Sequence, residues 1–172
     1  MTTNSDGGTY TLLIDLAEQQ RVAVGALGTH TFERGYYAYV GSALGPGGFA
    51  RLDRHRELAS GERDTRHWHI DYLLGTDAAS LVDDVRSEGV DAECKVARLL
   101  AAEDDTLDTR MGARDSHDVS TGAGDTLSLL DGKTVPGFGC SDCQCDSHLY
   151  FHPREAVLRS AVESAHGAVR TG

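Results

Sequence analysis

Residues 35–43 read GYYAYVGSA, which places three of the chain's six tyrosines within four positions, just before a glycine and a small hydroxyl residue. Aromatic residues suit a pleated, half-buried surface, so the stretch predicts a β-strand. Alternation puts Tyr37 and Tyr39 on one face and Tyr36 on the other. Upstream, TYTLLIDL (9–16) is apolar and β-prone, and after the polar turn Ala17–Gln20 the segment 21–27 alternates and is marked by glycine. These two segments predict a hairpin. Three strands in succession with short links predict an antiparallel sheet.

Downstream, Gly45-Pro46-Gly47-Gly48 breaks the chain, and FARLDRHRELA (49–59) has helical spacing. Phe49, Leu52, Leu58 and Ala59 can face a core, while Arg51, Arg54 and His55 share a flank at i, i+3 and i+4. HWHIDYLL (67–74) fits either a strand or a helix, since it alternates and also pairs Trp68 with Tyr72 at i, i+4. Segment 79–87, ASLVDDVRS, predicts a strand. Asp91 is placed to cap the helix ECKVARLLA (93–101), with Glu93 in its first turn. From 103 to 133 the sequence is polar, rich in Asp, Gly and Thr, and lacks a period apart from a weak strand at TLSLL; this predicts a mobile insertion. Pro153 then opens an amphipathic helix to about Ala165. The expectation is a single α/β (α+β) domain over 8–165.

The chain has 172 residues and no run approaching the roughly 18 apolar residues of a membrane span. Its polar N-terminus lacks the regions of a signal peptide, which makes the cytoplasm the default expectation. The formal net charge is −11, with 18 aspartates against 9 glutamates and only two lysines, Lys95 and Lys133. Such a balance resembles the proteins of salt-in halophilic archaea. At molar salt the Debye length is about 3 Å, so diffuse acidity does not by itself exclude a nucleic acid partner.

Tyr10, Tyr39, Arg51, His55 and Glu93 form a mix that suits phosphodiester hydrolysis, where water loses a proton, charge is neutralised and an alkoxide leaves. Glu93 can hold one Mg²⁺ or Mn²⁺, hard cations that otherwise keep waters or bind phosphate oxygens. Arg51 can grip a phosphate in bidentate fashion. A tyrosine base at neutral pH must be brought down from about 10, which takes about 4 kcal/mol of preferential phenolate stabilisation from adjacent positive charge.

The order G-T-Y (8–10), Y-V-G-S-A (39–43), R-L-x-R-H (51–55) and E-C-x-x-A (93–97) resembles the GIY-YIG nuclease superfamily. YVGSALG, RHWHIDYLL and GFGCSDCQCDSHLYF are similar to its archaeal branch, a domain of unknown function found alone or joined to base-excision-repair glycosylases. The resemblance implies a small antiparallel three-stranded sheet flanked by helices, with 67–74 helical and 79–87 as the third strand. It implies a one-metal phosphodiesterase acting on DNA in repair or processing, with a repair glycosylase as a candidate partner. Tyr10 and Tyr39 would be the signature tyrosines, Arg51 and His55 the pair on the following helix, and Glu93 the metal ligand. Gly41, Ser42, Arg54 and His69 are the candidate substrate contacts. Thr9 stands where the family has Ile or Val, an exchange between β-branched residues. The 28 residues between Tyr10 and Tyr39 exceed the usual spacing, and the extra strand at 21–27 accounts for the length.

Cys140, Cys143, Cys145 and His148 offer four soft ligands in nine residues, with Cys94 standing apart. Structural zinc usually draws ligand pairs from two separated segments, so a packed thiol cluster is the simpler expectation. Asp142, Cys143 and His148 could alternatively line the branch's own site. His67, His69 and Asp71 read as satisfied structural polar groups, and Trp68 as core. Two other functions fit the same residues: a catalytically inactive nucleic-acid-binding module of this fold, and a zinc-binding scaffold built on the cysteines.

Overall fold

The central strand of the molecule is β1, Gly8–Leu16, which hydrogen-bonds to a neighbour on each side and is buried along nearly its whole length. A computed structural model describes residues 7–101, 137–140 and 144–171. Antiparallel to β1 run the tyrosine strand β4 (Gly35–Ser42) and β5 (Ala79–Glu88). A fourth strand, β6 (Leu149–His152), pairs with the outer edge of β4, giving the order β5-β1-β4-β6. The sheet therefore has one strand more than the expected three. LYFH alternates well enough to pair, but four residues beside a cysteine-rich run carry little periodic signal.

The expected hairpin between 9–16 and 21–27 does not form. β2 (Gln20–Ala23) pairs instead with β3 (Thr29–Phe32) as a separate two-stranded ribbon, its turn holding a 3₁₀ helix at Gly25–Leu27. β1 already has partners on both sides, so an added hairpin must pair with itself. The ribbon buries Val22, Val24 and Phe32 against one face of the sheet.

Period-two alternation divides the core into two layers. Tyr10, Leu12, Ile14 and Leu16 of β1 join Tyr37 and Tyr39 of β4 on one face. This face is covered by Leu52 and Leu58 of α1 (Ala50–Ser60) and by Ile70, Leu73 and Leu74 of α2 (His69–Leu74). The opposite face presents Leu13, Ala38 and Val40 to α3 (from 93 to at least 101) and to α4 (Glu155–Arg170). Helix α4 runs five residues past the expected Ala165, because Val169 continues its apolar stripe. The N-cap of α3 falls on Ala92 rather than Asp91, and the Ala92 carbonyl accepts the Val96 N–H at 2.8 Å. The 67–74 ambiguity resolves to a helix. The expected insertion at 103–133 lies outside the described residues, as do Asp142 and Cys143. Among the described residues no helix is long and apolar enough to cross a membrane.

Candidate functional site

In the β1–β4 register Tyr10 stands opposite Gly41 and Leu12 opposite Tyr39, which makes Tyr10 and Tyr39 diagonal neighbours on one face. The Tyr10 ring lies across Gly41. A Cβ at that glycine would come within 2.5 Å of both Cζ and the phenol oxygen, so no other residue fits under the ring. Gly41 thus acts through Tyr10. Burial dominates the chemistry of both phenols and pushes their pKa values well above the ordinary 10; Glu93 adds to the rise, while the Arg51 guanidinium opposes it.

Helix α1 brings the next groups. His55, almost wholly buried, has Nε2 at 2.9 Å from the Tyr10 hydroxyl. Its Nδ1 lies 3.9 Å from Asp71 Oδ1, too far for a hydrogen bond. The carboxylate nonetheless favours the proton on Nδ1, which leaves Nε2 to accept from the Tyr10 O–H. Burial lowers His55 to about 4, against which Asp71 pulls upward and Arg54 and Arg51 push downward. Arg51 donates from Nη1 to the Ser42 carbonyl at 2.5 Å, tying the start of α1 to the end of β4.

Asp71 is fully buried and organises the outer rim. It receives both Nη1 and Nη2 of Arg54, at 3.2 and 2.8 Å, and the backbone N–H groups of His67 and Trp68, at 2.7 and 2.9 Å. The reading of Asp71 as a satisfied structural polar group therefore holds, and Arg54 is committed to it. Trp68 is not core. It is 37 % exposed, with the Arg54 and Arg51 guanidiniums 4.4 and 4.7 Å from its ring centroid. A large indole was expected inside on size alone, but here it begins a short helix at the surface, where two cations lie against it.

Glu93 arrives from α3, and Thr9 is the reason it does. The Thr9 hydroxyl donates to the Val90 carbonyl at 2.8 Å and accepts the Ala92 N–H at 2.9 Å, pinning the start of α3 to the first turn of the site. Valine or isoleucine could make neither bond, so the exchange at Thr9 is not neutral. Glu93 Oε1 lies 3.0 Å from Nδ1 of the buried His148.

The tail closes the site from the β4 edge. His148 and Phe138 pair through the His148 N–H and Phe138 carbonyl at 2.8 Å, and the Val40 N–H extends the β4–β6 ladder to the His148 carbonyl. Phe138 packs edge-on to Tyr39, and His69 accepts the Gly139 N–H at Nδ1, so His69 docks the tail. Gly139, with φ of +76°, has Tyr39 and His148 where a side chain would project.

The expected cysteine grouping regroups in space. Ligand atoms of Cys94, Cys145 and His148 all lie within 4.8 Å of one another, whereas the Cys140 thiol is directed at the Phe138 carbonyl. Cys94, set apart in the sequence, is the member that spacing could not supply. Its position directly after Glu93 was only a weak signal, since consecutive side chains on a helix point about 100° apart.

Tyr10, Tyr39, Arg51, His55 and Glu93 thus gather at one end of one sheet face, drawn from four separate segments. No curated protein and no solved structure matches the chain. A family profile described as Domain of unknown function DUF123 matches residues 9–122 and 121–171, and the chain belongs to that family.

Proposed function

We propose that the protein is a metal-dependent phosphodiester hydrolase of the GIY-YIG kind, an endonuclease acting on DNA in repair or in the processing of damaged or branched structures. The observation that carries this reading is the meeting of two phenols, one guanidinium, one imidazole and one carboxylate at a sheet end where substrate can approach Ser42 and Trp68. Glu93 suits a hard divalent cation: it is partly exposed, both phenols feel its charge, and a carboxylate offers a second oxygen beyond the one paired with His148. One carboxylate suffices for an ion that keeps most of its waters. Such a cation, magnesium or manganese, supplies positive charge to the phosphate oxygens and the departing alkoxide.

Arg51 grips the phosphate, and its anchor on the Ser42 carbonyl aims it. His55 orients Tyr10 by accepting its O–H; it does not deprotonate it. Even an ordinary phenol near 10 lies about six units above an imidazole near 4, so that transfer alone would cost about 8 kcal/mol. Arg51 lowers the phenol toward the range where it can take a proton from water, and a cation held at Glu93 would add positive charge in the same sense.

The test is nicking of labelled DNA with Mg²⁺ or Mn²⁺ at high KCl. Glu93→Gln and Arg51→Ala should each lower the rate by about 10²-fold or more. Cleavage unaffected by both substitutions would overturn the assignment, and DNA binding with no cleavage by the wild type would move the protein to the inactive binding module.

A further inference from the structure

We propose that Cys94, Cys145 and His148 form a thiophilic divalent-metal site, of the zinc class, that clamps the segment leading into β6 to α3. The three ligand atoms lie within 4.8 Å of one another, and His148 is almost wholly buried while both cysteines are half-buried. Tetrahedral zinc with Zn–S near 2.3 Å and Zn–N near 2.0 Å holds its donors about 3.5 to 3.8 Å apart, so closing around an ion takes movements of about 1 Å or less. Cys145 approaches the backbone of Cys94 already, its Sγ at 4.0 Å from the Cys94 carbonyl across a sequence separation of 51. Ligands therefore come from two distant segments, as structural zinc sites prefer, and the crowding of cysteines in the tail is no obstacle.

Two thiolates select a soft ion over magnesium, which separates this site chemically from the hard-cation chemistry proposed at Glu93. The pair also balances a dication without adding net charge to an acidic chain. His148 supplies the second shell. Its Nδ1 lies 3.0 Å from Glu93 Oε1, close enough for the carboxylate's charge to act on a metal-ligating ring. In this site Nε2 takes the metal and Nδ1 stays toward Glu93, so the clamp also positions Glu93. Metal binding itself does not require that the neighbouring site cleave DNA.

The experiment uses the full chain, purified, stripped with a chelator and reloaded with Co²⁺ or Zn²⁺. One equivalent of Co²⁺ should bind with a thiolate-to-cobalt charge-transfer band. Cys94→Ser and Cys145→Ser should abolish the band, and Cys140→Ser should leave it intact, since that thiol is directed elsewhere. Glu93→Gln should weaken Zn²⁺ binding about 10- to 100-fold, a shift that a purely catalytic Glu93 would not produce. Should the serine variants fail to fold, alkylation of the wild type decides: Zn²⁺ should slow modification of Cys94 and Cys145 but not Cys140. The proposal is overturned by a charge-transfer band that persists in Cys94→Ser, by alkylation rates indifferent to Zn²⁺, or by loss of two titratable thiols, reversible by reductant, with no metal bound. These readouts are independent of nicking, so their failure leaves the hydrolase reading standing, and the reverse also holds.

Discussion

The sheet buries His55 on one face and His166 on the other, and the two are held differently. His166, on the buried side of α4, has the Thr11 hydroxyl 2.8 Å from Nε2 and the Ser87 hydroxyl 2.8 Å from Nδ1. His55, on the other face, has Tyr10 at 2.9 Å on Nε2, but its Nδ1 falls short of Asp71. Burial lowers both rings to about 4, so their exposure to water does not distinguish them. Completeness does. A fully bonded buried network fixes one arrangement and is structural, whereas a buried nitrogen left unsatisfied costs of order 1–3 kcal/mol and calls for a functional explanation. The face with slack is also the face that carries Arg51, Tyr10 and Tyr39, with Glu93 near them at the start of α3.

The largest expected effect falls on Asp71. Its replacement by Ala leaves Arg54 without its counter-charge, with the Thr65 carbonyl and the Trp68 ring remaining, orphans two backbone N–H groups, and should cost about 4 kcal/mol of stability in a urea titration. Asp71→Asn, which keeps an acceptor, should cost clearly less. If the site face were held by apolar packing alone, both variants would stay within about 1 kcal/mol of wild type.

Next in size is a pH effect on the opposite face. Burial lowers His166 to about 4, with Arg170 adding to the fall, from 6.5 in the unfolded chain. Between those values the unfolded state binds a proton that the folded state refuses. The stability contribution is therefore complete above about pH 6.5 and lost as pH falls toward 4, a change of about 3 kcal/mol. His166→Gln, which does not titrate, should remove about half of the slope in that part of the stability–pH curve, since His55 contributes over the same range. An unchanged slope in this variant would show that the Thr11–His166–Ser87 chain is not the acid-sensitive element.

How much of this could be read in the sequence depends on distance along the chain. The tyrosine strand, α1 and β5 were legible, because each carries its own periodicity within one short window. The gathering of Tyr10, Tyr39, Arg51, His55 and Glu93 was legible only through motif order, since the contacts run between distant segments. What escaped were choices made by tertiary pairing. β2 turned to β3 because β1 had no open edge, β6 joined the sheet by way of the tail, and Cys94 met Cys145 because Thr9 had already pinned α3 beside β1. Trp68 was misplaced for the same reason: nothing local to HWHIDYLL announces two arginines arriving from α1.

A smaller effect compares glycines on the two faces. Gly41→Ala would drive a Cβ to within 2.5 Å of the Tyr10 ring and should cost about 1–3 kcal/mol, with a fall in nicking beyond what the lost stability explains. Gly167→Ala, inside α4 with open space around it, should instead stabilise by up to about 1 kcal/mol and leave nicking unchanged. Thermal melts alongside nicking rates would read both. Equal and opposite stability changes without a separate loss of activity in Gly41→Ala would mean that the ring's placement over the sheet does not matter to the chemistry.

The smallest stability change belongs to Trp68, and there binding carries the information. Its ring is partly open to solvent, and the two guanidiniums over it are themselves held, Arg54 by Asp71 and Arg51 at Ser42, so the part of the indole left open has a fixed orientation. In molar salt counterion release adds little to DNA affinity, whereas stacking of a base on an aromatic ring is worth about 1–3 kcal/mol and does not depend on released ions. Trp68→Ala, in a Glu93→Gln background that prevents cleavage, should therefore weaken binding of short DNA about 5- to 10-fold by fluorescence anisotropy, equally at low and high KCl, at the lower end of the stacking range. The Arg51→Ala defect should shrink as salt rises, because a phosphate contact is screened and a stacked base is not. A Trp68→Ala defect that fades with salt in the same way would mean that the indole acts only by holding the arginines in place, and that recognition on this face is carried by charge.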